Sequence, residues 1–172
     1  KSTIIPYRDV LERLWVIEPI EAWVPARNQI ARLGQPPKHQ LVDPAIAARL
    51  LGVDEAELAA AGAPRKSLGK NQSLVESLFE SLVALSIRTY AQESNCLVRH
   101  FRTRGGEREI DLIVERGDGR VVAIEVKAKH SIDDDDVRHL KWLKSRIGDE
   151  LLDMVVVTMG PTAYRRSDGV AV

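Results

Sequence analysis

The chain has a single cysteine in 172 residues. A lone thiol, Cys96, excludes an intrachain disulfide framework and a cysteine-rich zinc site, and it fits a reducing compartment. No apolar run approaches the ~18–20 residues that cross a bilayer, and no secretory signal pattern opens the chain. Neither sign of charge is in excess: 25 Lys and Arg balance 25 Asp and Glu, for a formal net charge of zero. Global charge therefore offers no steering, and any surface for nucleic acid has to be local. A glycine-rich phosphate loop is absent, as are internal repeats and low-complexity tracts. These absences lead us to expect a cytoplasmic protein without membrane contact. The chain begins at Lys1 and enters a helix pattern almost at once, so it reads as a piece of a longer protein.

What is present is ordinary globular material, 44% hydrophobic and 29% charged, and long enough for one domain or two small ones with a real core. Residues 7–14, YRDVLERL, set Tyr7, Val10, Leu11 and Leu14 on one helical face, with Pro6 where helices begin. WVIEPIEAWVP reads as extended, interrupted by Pro19. Residues 25–40 are polar and basic, with Arg27, Arg32, Lys38 and His39, and read as a loop or wing. LVDPAIAARLLG has Asp43 as a helix cap, Pro44 at the first helical position and Gly52 as the stop. DEAELAAAG reads as another short helix, and GAPRKSLGK, residues 62–70, as a linker. Two units follow, residues 1–66 and 67–172.

The second unit opens with a long amphipathic helix, QSLVESLFESLVALSIRTYAQ. Leu74, Leu78, Leu82 and Leu85 make one stripe, widened by Val75, Phe79 and Val83. NCLVRHFRT is a strand, residues 133–147 a second helix stopped by Gly148, LLDMVVVTM a buried strand, and AYRRSDGVAV a short edge strand. The order from residue 72 onward is α-β-β-β-α-β.

Residues 109–129, EIDLIVERGDGRVVAIEVKAK, form a hairpin with three charges, Asp111, Glu125 and Lys127, among Ile, Leu, Val and Ala. A charge within a sheet core costs several kcal/mol unless it is paired or coordinated. The register follows from the apolar rows. Ile110, Leu112 and Val114 share a face with Val122, Ile124 and Val126 only if paired residue numbers have an even sum, which calls for a three-residue loop, Gly117-Asp118-Gly119, with Gly119 left-handed. That register sets Asp111 opposite Glu125, with Lys127 further along the same face. Two carboxylates so close repel and lift one pKa unless a cation stands between them. Lys127 or a divalent metal would serve. A third carboxylate, Glu76 or Glu80, lies at the edge of the long helix's apolar arc.

Asp, then Glu-x-Lys on the next strand, after a helix bearing a Glu, resembles the PD-(D/E)XK nuclease superfamily. FESLV (79–83), RTRGGEREIDLIVE (102–115) and AIEVK (123–127) resemble, more closely, the nuclease-like C-terminal domain, of unknown function, of prokaryotic AAA-type ATPases. YRDVLERLWVIEPIEAW and LVDPAIAARLLG resemble that family's winged-helix-like segment. The resemblance implies an α/β fold with a restriction-endonuclease-like core, a mixed sheet flanked by helices, preceded by a small, mainly helical winged-helix-like segment. It selects Glu80 over Glu76. It implies Asp111, Glu125, Glu80 and the Val126 carbonyl as ligands of Mg2+ or Mn2+, and Lys127 as the residue that positions or activates water. Asp111, Glu125 and Glu80 count with Lys127 as the catalytic set. Ile110 stands where the superfamily's Pro would be. An upstream ATPase domain of the same chain and DNA or RNA are the implied partners.

Arg99, Arg102, Arg104 and Arg108 cluster before the hairpin and suit phosphate contacts. Asp133 to Asp136 lack calcium-loop spacing and read as helix-capping residues. His100 and His139 lack metal-ligand spacing and read as packing or surface residues. Trp15, Trp23 and Trp142 read as core or interface residues. Two functions fit: a metal-dependent nuclease module attached to an ATPase, or an inactive nuclease fold that binds nucleic acid, a partner or its own ATPase.

Overall fold

A computed structural model describes residues 3–25, 35–62 and 69–172 of the protein. The N-terminal unit has helix α1 (Ile4–Arg13), strands β1 (Ile17–Ile20) and β2 (Lys38–Leu41), and helices α2 (Pro44–Leu50) and α3 (Glu55–Gly62). The second unit runs α4 (Gly69–Glu93), β3 (Leu97–Arg102), β4 (Glu109–Glu115), β5 (Val121–Lys127), α5 (Arg138–Ile147), a short 3-10 turn and β6 (Leu151–Thr158). Arg27, Arg32 and most of the expected linker, with its boundary at 66/67, lie outside the described residues.

The second unit is a mixed sheet, ordered β3-β4-β5-β6, flanked by helices. The β3–β4 and β4–β5 pairs are antiparallel and β5–β6 is parallel. Helix α4 covers one face, where Val83 and Ala84 meet Leu112, Ile124 and Val126. Helix α5 covers the other, where Leu140 and Leu143 meet Ile113, Val121, Ala123 and Val156. The tail returns beside β6, with Ala171 bridging to Val155 and Arg165.

The even register holds from Leu112–Ile124 to Glu115–Val121. Its loop is Gly117-Asp118-Gly119, closed by Gly119 N–H to Arg116 O at 2.8 Å, with Gly119 at φ +84°. Asp118 fastens the turn by accepting from Arg116 and Arg120.

Ile110 departs from the expected row. β3 pairs Arg99 with Ile113 but Phe101 with Ile110, so Asp111 and Leu112 together face the single residue His100. This bulge turns Ile110 to the α5 face, while Leu112 keeps to the α4 face. Bulges re-aim side chains in this way. The helix stripe also shifts. Phe79, Val83, Ala84 and Ile87 meet the sheet, whereas Leu82 and Leu85 are exposed. Leu74 and Val75 instead adjoin Leu51, Val53 and Leu58.

Helix α5 begins five residues later than expected, because Asp133 and Asp136 close a turn of their own. Asp133 accepts from the N–H groups of Asp135 and Asp136, and Asp136 accepts from that of Asp133.

The N-terminal ribbon pairs Ile17–Ile20 with Lys38–Leu41, so Pro19 lies within β1, opposite His39. Its exit strands the sheet edge: Ala22 bridges to His100, and Trp23 N–H donates to His100 O. Ile20 is buried on the α4 face and Trp23 on the α5 face, where Trp23 meets Phe101 edge to face at 5.9 Å and Phe101 lies tilted against Trp142 at 5.8 Å. Trp15, by contrast, is exposed and left-handed at the end of α1. Asp43 caps α2 by accepting from Ala45 N–H at 2.7 Å.

Candidate functional site

The bulge and the end of β5 bring Asp111, Glu125 and Lys127 together. Asp111 Oδ2 accepts the Val126 N–H at 2.8 Å. Lys127 Nζ donates to Glu125 Oε2 at 2.8 Å, a pair two residues apart on one strand and so on one face. The Glu125 side chain is only 4% exposed. Its other oxygen, Oε1, is buried and accepts no hydrogen bond, and the carboxyl can share a hydrogen bond with Asp111 only while it holds its proton. His139 Nδ1 stands 3.8 Å from that oxygen but faces the Glu109 carbonyl at 2.7 Å, while its Nε2 takes a bond from Arg138.

Burial raises the Glu125 carboxyl, and Asp111 adds to the rise, bringing it to about 8. The Lys127 ammonium opposes the shift and is outweighed. For Lys127 itself, burial works against the charge, but Glu125 and Asp111 hold its pKa above the ordinary value. The Lys127 side chain is 31% exposed and reaches water, whereas Glu125 is enclosed.

A second group adjoins the first through Asp111. Lys38, the first residue of β2, places its Nζ 2.5 Å from Glu80, 3.4 Å from Glu109 and 3.8 Å from Asp111. Gln40 also donates to Glu80, at 3.4 Å. Burial and Asp111 raise the Glu80 carboxyl, and Lys38 offsets only part of this. Burial lowers the Lys38 pKa, but Glu80, Asp111 and Glu109 raise it further. Glu80 and Glu125 thus each respond to Asp111, which joins the two groups. Glu76 is exposed. In the sequence Lys38 stands only as part of a basic stretch. Nothing local in the sequence places it against residues 80 and 111.

Among the described residues, no three His, Cys, Asp or Glu side chains form a group that could hold a metal ion. The Asp111–Glu125 pair nevertheless suits Mg2+, which is commonly held by one or two carboxylates with water completing its shell. The partnerless Glu125 oxygen and the raised carboxyl are what an added cation would relieve.

A cavity of about 730 Å3 lies alongside, lined by Lys38, His100, Arg102, Arg104, Gly106 and Glu109 among others. Of the four arginines, Arg102 and Arg104 line it. Arg99 is bound instead to Glu115 at 2.7 Å, and Arg108 lies over the Trp142 ring at 5.1 Å. His100 is buried, its Nε2 facing Pro36 O at 3.3 Å, and burial lowers its pKa. Cys96 is half-buried just before β3.

The model of a family described as Domain of unknown function (DUF4143) matches residues 75–172, from within α4 to the C-terminus. The chain belongs to this family. The matched DUF4143 region contains Glu80, Asp111, Glu125 and Lys127, whereas Lys38 lies ahead of it. Neither a curated protein nor a solved structure matches the chain. No described helix is long and apolar enough to cross a membrane.

Proposed function

We propose that the chain carries a divalent-cation-dependent phosphodiesterase site of nuclease type, in which Asp111 and Glu125 hold Mg2+ or Mn2+ and Lys127 positions the attacking water. One observation carries the reading. The enclosed Glu125 carboxyl, once ionised, has an oxygen that accepts no hydrogen bond, beside a second carboxylate and an ammonium. A sheet core that gained nothing from these charges would be more stable with apolar residues in their place. A bound divalent ion would supply charge neutralisation at the phosphoryl oxygens and a more acidic water. Lys127 would orient that water and stabilise developing charge. Arg102 and Arg104, lining the adjacent cavity, would take flanking phosphates of DNA or RNA.

The resemblance would add Glu80 and the Val126 carbonyl to the metal set; Glu80 forms no three-carboxylate group with Asp111 and Glu125 and is paired with Lys38 instead. The restriction-endonuclease-like description of the core, the winged-helix-like description of residues 1–66 and an upstream ATPase belong to the same reading. The α-β-β-β-α-β order of residues 69–158 supports it.

A second reading, a non-catalytic nuclease fold that binds nucleic acid, a partner or its own ATPase, is favoured by Lys38, whose ammonium already neutralises Glu80. Incubation with single- and double-stranded DNA and RNA, with Mg2+, Mn2+ or chelator, tests both. Metal-dependent cleavage that falls ~100-fold or more in Lys127→Ala supports the enzyme. Intact substrates in every metal condition favour the binding module.

A further inference from the structure

We infer that Lys38 is an internal counter-cation, and that its ammonium and a divalent ion exclude one another at the acidic group around Asp111. The inference rests on the metal-site reading and adds its regulation. Lys38 reaches Glu80, Glu109 and Asp111 within 4 Å from outside the sheet. These acids come from α4 and β4, and the lysine comes from the N-terminal ribbon. Glu125, beyond Asp111, keeps an enclosed oxygen that the lysine does not satisfy. The ammonium therefore neutralises one side of the acidic group and leaves the other in deficit. A divalent ion at Asp111 and Glu125 would meet the Lys38 charge across a single carboxylate. Like charges so near in a half-buried site repel strongly.

The two strands of the ribbon pair along their length and meet the second unit in different ways. β1 is anchored by buried Ile20 and by Arg88, which donates to Pro19 O at 2.9 Å and pairs with Glu18 at 2.7 Å. The described contacts of β2 to the second unit are polar ones, through Lys38 and Gln40 to Glu80, Glu109 and Asp111. Lys38 and Glu109 also line the cavity that holds Arg102 and Arg104. Withdrawal of Lys38 would free the carboxylates of Glu80, Glu109 and Asp111, of which Glu109 lines that cavity.

Manganese binding by calorimetry, compared among the unaltered chain, Lys38→Gln and Lys38→Arg, tests this. Lys38→Gln is expected to bind Mn2+ at least ~10-fold more tightly, and Lys38→Arg, which keeps the charge, no more tightly than the unaltered chain. Acylation of Lys38 in the unaltered chain, read by mass spectrometry, is expected to quicken several-fold on adding Mn2+. This second measurement needs no variant to fold. Equal affinities, with acylation indifferent to Mn2+, would overturn the inference and leave the metal site standing. Absence of Mn2+ binding in all three proteins would overturn the metal site, and this inference with it.

Discussion

The backbone N–H of Val126 donates to Asp111 Oδ2 at 2.8 Å, across the β4–β5 pair. The side chain thereby extends the contact of the two strands past Leu112–Ile124, the last backbone pair. It also fixes one carboxylate oxygen and points the residue's charge at both Glu80 and Glu125. That charge weighs on Glu80 and Glu125, and it also supports the ammonium groups of Lys38 and Lys127.

Replacing Asp111 by Asn should change the stability of the metal-free chain little. The amide oxygen still accepts from Val126, and relief of Glu80 and Glu125 is set against lost support of Lys38 and Lys127. We expect a change under ~1 kcal/mol in chelator at neutral pH, read from the urea midpoint. The same variant should lose any rise in melting temperature on adding Mn2+. A loss of ~2 kcal/mol or more in chelator would show that Asp111 serves the fold.

Stability should fall between pH 6.5 and 8 and level off above. Glu125 holds its proton to about 8 in the folded chain, against an ordinary value of 4.5, so in that interval the folded state binds more protons than the unfolded one. Glu80, also raised, acts with the same sign. His100, whose pKa is lowered from 6.5, acts in the opposite sense, but only below that value. Lys38 and Lys127, both raised, lose their contribution only at alkaline pH. Urea denaturation across this range should show the slope in the unaltered chain and a much weaker one in Glu125→Gln.

The arginines should divide into two classes. Arg99 and Glu115 are an enclosed pair, 12% and 13% exposed, so Arg99→Ala should cost on the order of 2 kcal/mol in stability. Arg102→Ala and Arg104→Ala should change stability by under ~0.5 kcal/mol. Each should instead weaken nucleic-acid binding in all sequences alike and reduce its salt dependence by about one ion. Denaturation and filter-binding measurements on the same three variants separate the classes.

Gly119 is the test of the hairpin. At φ +84° an added Cβ is strained although the space around it is open. Gly119→Ala should cost about 1 kcal/mol, and Gly117→Ala, with open space and no left-handed backbone, clearly less. Equal effects would argue against a three-residue loop.

The hairpin shows how far sequence reasoning reached. Two apolar rows with a period of two sufficed for the even register, because a slip would have moved both rows out of the core. The same reasoning placed Ile110 with Leu112, and the bulge opposite His100 separates them. Nothing in EIDLIV marks a bulge, since Ile110, Leu112, Ile113 and Val114 suit either face. The α4 stripe shifted for a related reason. Leucines surround that helix more broadly than the sheet can cover, so Leu82 and Leu85 stay outside. Asp111, Glu125 and Lys127 were legible because charges stand out in a buried strand. Lys38 was not, because its role depends on a contact with Glu80 forty-two positions along the chain.

The most direct test of the central claim is a Mn2+ titration of the unaltered chain beside Asp111→Asn and Glu125→Gln, each shown to be folded. We predict saturable binding at one site in the unaltered chain and its loss in both variants. Absence of binding in the unaltered chain, or binding that survives both substitutions, would contradict the assignment of Asp111 and Glu125 as a metal site.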